Sequence, residues 1–80
     1  KKPWNVKVWA VKQKENVYRL IIKNDYFAYR ECDISVGSEI ENCSIITEYP
    51  YAPVKFEKDR IIHLVVPNFG CEVIEVTLKK

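Results

Sequence analysis

Methionine is missing from this chain, glycine occurs twice and histidine once. The two glycines, Gly37 and Gly70, lie too far apart to form a Gly-rich phosphate loop. A lone His63 leaves most histidine-based metal sites without their ligands, so no metal or cofactor is expected. The three cysteines, Cys32, Cys43 and Cys71, contain no C-x-x-C pair, which argues against a zinc ribbon or a thioredoxin-like centre. Their odd number also fits poorly with a disulfide framework, and they are read as reduced, small apolar residues, with one disulfide plus a free thiol as the alternative. Thirteen Lys and Arg against eleven Asp and Glu leave a net charge of +2, too mild for a nucleic-acid surface. No run of about 18 apolar residues occurs, so no helix inserts into a bilayer. Neither G-x-S-x-G nor H-E-x-x-H is present.

What is there is alternation. The chain has 80 residues, 48% hydrophobic and 30% charged, enough apolar material for one domain spanning residues 1–80. Trp4, Val6, Val8 and Ala10 share one face of the first segment, opposite Asn5 and Lys7. Tyr18, Leu20 and Ile22 follow, then Cys32, Ile34 and Val36, then Cys43, Ile45, Thr47 and Tyr49. Val54 with Phe56, Ile62 with Leu64 and Val66, and Ile74 with Val76 and Leu78 complete the series. Period two in each segment is the strand template. Breaks fall at Gln13–Asn16, Asn24–Asp25, Gly37–Ser38, Pro50–Pro53, Lys58–Asp59 and Pro67–Gly70, all rich in turn residues. Spacings near ten residues predict an all-β fold, an antiparallel β-sandwich of about seven strands. A closed barrel of the OB or SH3 type is the structural alternative.

Candidate chemistry is sparse. His63 faces away from Ile62 and Leu64 and reads as a strand histidine; a Cys71–His63 dyad lacks an orienting third group. Glu31 with Asp33, Glu39 with Glu41, and Glu72 with Glu75 read as solvated carboxylates, because a small sandwich offers no deep cleft for a catalytic pair. Asn42-Cys43-Ser44 matches the N-glycosylation tripeptide, which is short enough to arise by chance. Two Trp, five Tyr and three Phe are more than one thin core needs. Tyr26-Phe27-Ala28-Tyr29 and Tyr49-Pro50-Tyr51 must expose some rings or place them at an interface. No enzymatic activity is expected.

Three stretches carry a resemblance. Trp9-Ala10-Val11-Lys12 leads through a turn to Tyr18-Arg19-Leu20-Ile21-Ile22-Lys23-Asn24. Val54 to Pro67 holds Lys58-Asp59-Arg60-Ile61-Ile62-His63-Leu64-Val65-Val66-Pro67, and Cys71 to Leu78 closes the chain. Together they resemble the small immunoglobulin-like β-sandwich at the C-terminus of many glycoside hydrolases. The resemblance implies a non-catalytic accessory module beside a catalytic domain, with no catalytic residues to carry over. A start at Lys1-Lys2-Pro3-Trp4, without methionine or a signal-like apolar stretch, fits the expectation of a module within a longer polypeptide.

Strand geometry sharpens the functional expectation. If Trp4, Val6, Val8, Leu20, Ile22, Ile62, Leu64, Ile74 and Val76 point inward, then Trp9, Val11, Ile21, Ile61 and Val65 point outward. An outward apolar set of that size marks an interface. The chain is therefore expected to be an accessory or interaction module, which the resemblance places in a carbohydrate-active enzyme, whose partner is a protein surface, an adjacent domain or another copy, with carbohydrate as a further ligand class. A small secreted binding protein or inhibitor is the first alternative. An OB-like nucleic-acid-binding domain, using Lys7, Lys12 and Lys14, is the second.

Overall fold

The computed structural model describes residues 5–47, 54–57 and 60–79. The expected inward Trp4 and the loop aromatics Tyr49 and Tyr51 lie outside them. The chain is all-β, with antiparallel pairing throughout. Six strands have six to nine residues: β1 (Val6–Lys14), β2 (Val17–Asn24), β3 (Arg30–Ser35), β4 (Ile40–Ile45), β6 (Ile61–Val66) and β7 (Cys71–Leu78). A three-residue segment, β5 (Lys55–Glu57), pairs with β6.

Two sheets face one another. One has the order β1-β2-β7-β4, the other β3-β6-β5. This order departs from the immunoglobulin-like expectation, in which the fifth strand would pair with the second and the seventh with the sixth. Here the fifth and seventh strands exchange places. The reason lies in their lengths. β7 has eight residues and alternates Glu72, Ile74 and Val76, all buried, with half-buried neighbours, so it fits between two strands. β5 has three residues and can serve only at an edge.

The core is the alternation made physical. Val6, Leu20, Ile22, Ile74 and Val76 from the first sheet meet Cys32, Ile62, Leu64 and Val66 from the second. Each such residue contributes roughly 1.5–3 kcal/mol when withdrawn from water. β4 adds Ile40 and Cys43, which are three residues apart yet both buried. A register shift between Ile40 and Asn42 places an extra residue there and returns both side chains to the core.

At one end, the loops after β2 and β6 are stapled together by Asn24, which is fully buried. Its Nδ2 donates to the carbonyls of Ala28, Val66 and Pro67 at 2.9, 3.2 and 3.1 Å, and its Oδ1 accepts from the Tyr26 amide at 2.9 Å. Two hydrogens serving three acceptors means that one bond is shared. The Gly70 amide closes the Pro67–Gly70 turn onto the Pro67 carbonyl at 2.9 Å. A Cβ on Gly70 would stand 2.6 Å from Pro67 Cγ, so only glycine fits.

Candidate functional site

The outward residues of the first sheet form a grid. Trp9 on β1 pairs in register with Ile21 on β2, and Ile21 with Val73 on β7. Beyond β4, the amide of Ile46 donates to the Val73 carbonyl at 2.7 Å, and the Val73 amide donates to Thr47 Oγ1 at 2.8 Å. An apolar row, Trp9-Ile21-Val73-Ile46, therefore crosses the whole sheet perpendicular to its strands. Trp9 is 50% and Ile46 43% exposed, values that place both side chains at the surface rather than in the core. Val11, also exposed, flanks the row.

Charge borders the row on both sides. Next to it, Arg19 Nε lies 3.5 Å from Glu75 Oε2. On the other side Lys23 Nζ lies 3.2 Å from Asp25 Oδ1, and Lys7 Nζ 3.9 Å from Asp25 Oδ2. Exposed surface pairs of this kind stabilise little, about 0–1 kcal/mol each. Their effect is to surround an apolar strip with a polar margin, the layout of a protein interface with its polar rim.

Lys23 also donates to the Phe69 carbonyl at 3.0 Å, joining this sheet to the loop tip. There Phe27, Tyr29 and Phe69 are exposed. Tyr26 and Phe27 stack with centroids 4.3 Å apart, and the Arg30 guanidinium lies 3.7 Å over the Tyr26 ring. Phe69 holds φ at 54°, in the left-handed region that bulky residues rarely occupy. Composition and the Tyr26–Tyr29 run signalled exposed rings; the role of Asn24 in positioning them was hidden, because the sequence shows it only as a chain break.

The expected interface residues do not share one surface. Trp9, Val11 and Ile21 lie on the outer face of the four-stranded sheet. Ile61 and Val65, both half-buried, lie on the outer face of the other sheet, opposite Ser35 and Glu31 in register. The expectation of a single covered face is corrected to two faces pointing apart, because the strands holding them belong to different sheets.

Between Ile61 and Val65 sits His63, in register with Asp33 on one side and Lys55 on the other. His63 Nδ1 is 2.7 Å from Asp33 Oδ1. A shallow depression of about 280 Å³ here is lined by Glu31, Asp33, Lys55, His63 and Val65. Cys71 is exposed on the outer face of the other sheet, so the imagined dyad with His63 does not assemble. All three cysteines are free thiols; Cys32 and Cys43 are buried, and burial pushes the Cys43 thiol up to about 11. Among the described residues no group of three or more His, Cys, Asp or Glu is placed to hold a metal ion. No family model, curated protein or solved structure matches this chain.

Proposed function

We propose that the chain is a non-catalytic interaction module that packs the outer face of its four-stranded sheet against another protein surface, in a parent polypeptide or in a second copy. The observation that carries this reading is the apolar row Trp9-Ile21-Val73-Ile46, with Val11 beside it. A half-exposed tryptophan in such a row gains its burial energy only when a partner covers it. The connectivity differs from the immunoglobulin order, so the accessory-module reading stands on the surface and not on that topology. An origin in a carbohydrate-active enzyme belongs to the same reading, with the exposed rings of Phe27, Tyr29 and Phe69 as the surface a sugar would stack on.

The experiment is substitution of the row. Trp9→Ser combined with Ile46→Thr should leave the circular dichroism and the unfolding midpoint nearly unchanged while abolishing association, read by sedimentation of the chain. Unfolding of the double variant, or association that survives it, would place the interface elsewhere.

A further inference from the structure

Among the described residues the sandwich is closed along one side and open along the other. β4 and β5, the edge strands on the closed side, approach one another, whereas β1 and β3 make no comparably close approach. The burial of β1 reflects this. On its inner face Val6 is buried, Val8 half-buried and Ala10 exposed. An apolar cleft of about 410 Å³ lies under this overhang, lined chiefly by Val8, Ala10, Leu20, Ile34, Val36 and Leu78. That volume falls within the range of ligand-binding clefts, about 300–1,000 Å³.

β1 borders the cleft through Val8 and Ala10 and pairs with β2 alone among the described strands. An edge strand offers a row of backbone donors and acceptors at a fixed spacing, which only another extended chain can match. The occupant is thus a strand. Charge narrows it further. β1 carries Lys7, Lys12 and Lys14 and no acidic residue. Lys7 lies near Asp25, while Lys12 and Lys14 form no ion pair among the described residues. Lys12 is in register with Tyr18, which lines the cleft, so its Cβ projects on the inner side beyond Ala10.

We infer that β1 is a strand-addition site for an acidic extended segment of a partner protein. The incoming strand continues the four-stranded sheet. Two apolar residues on one of its faces, opposite Val8 and Ala10, enter the cleft, and an acidic residue two positions further along stands opposite Lys12. A second copy of β1 would bring six lysines and no acidic residue to the shared edge, which disfavours self-addition. The site uses the backbone edge and inner face of β1, whereas the row uses the outward side chain of Trp9 on the same strand, so protection of the β1 amides reads the one and oxidation of the Trp9 ring the other.

The test uses the whole chain and two synthetic peptides alternating threonine with valine. One carries a glutamate two residues from the last valine on the valine face; the other carries lysine there. The glutamate peptide should bind, and amide hydrogen exchange should slow along Lys7–Val11. Binding should weaken as salt rises. Lys12→Glu, at an exposed position that leaves the fold unchanged, should weaken the glutamate peptide about fivefold and make the lysine peptide the better ligand. Three results would overturn the inference: indifference of both peptides to the charge at residue 12, no protection of β1 at saturating peptide, or protection of β1 by self-association without peptide.

Discussion

At the scale of single residues, Phe69 and the cysteines make the clearest statements. Phe69 takes φ of 54° at an exposed position of a tight turn, where a Cβ is strained by about 1–2 kcal/mol. Phe69→Gly should therefore stabilise the domain by about 1 kcal/mol, read by denaturant unfolding, while removing one ring of the exposed tip. The cysteines divide by burial. A thiol reagent at pH 8 should modify Cys71 in the native protein and reach Cys32 and Cys43 only after unfolding. The Cys43 pKa, raised from 9.0 to about 11 by burial, adds a pH dependence. The unfolded thiol ionises first as pH rises, so stability is fully present below about 9 and declines between about 9 and 11. A base titration followed by circular dichroism, compared with Cys43→Ala, isolates that contribution.

At the scale of elements, Asn24 and β7 hold the structure together. Asn24→Ala deletes three donor contacts and one acceptor contact, and leaves the Ala28, Val66 and Pro67 carbonyls without that donor. A loss of about 2–3 kcal/mol is expected, with faster amide exchange confined first to the loops after β2 and β6. Along β7 the two faces should respond differently. Ile74→Ala, at a fully buried position, should cost about 2–5 kcal/mol, whereas Val73→Thr on the outer face should cost far less. The strands themselves were legible, since period-two alternation places Ile22, Ile62, Ile74 and their neighbours inward as observed. Pairing was not. Alternation reports which way a side chain points, and nothing about which strand lies beside it, so the exchange of the fifth and seventh strands left no local signal. The shift in β4 was equally hidden, because Ile40 and Cys43 stand three apart and break the period that would reveal them.

For the whole molecule, the surface was legible residue by residue and misassembled as a face. Trp9, Val11, Ile21, Ile61 and Val65 all project outward as strand geometry requires, yet two sheets divide them. Only the four-stranded sheet joins its members into a continuous apolar row, by adding Val73 and Ile46 to Trp9 and Ile21. Val73 stands between Glu72 and Ile74, and Ile46 between Ile45 and Thr47 of the expected inward face, so neither shows in sequence which neighbours it joins. The proposed function requires that a protein partner cover this row. Hydroxyl-radical footprinting measures it most directly, by comparing oxidation of Trp9 in the purified chain with its oxidation inside cells that produce the protein. Trp9 should oxidise readily in the purified chain and be strongly protected in the cell. Equal oxidation of Trp9 in both would contradict it.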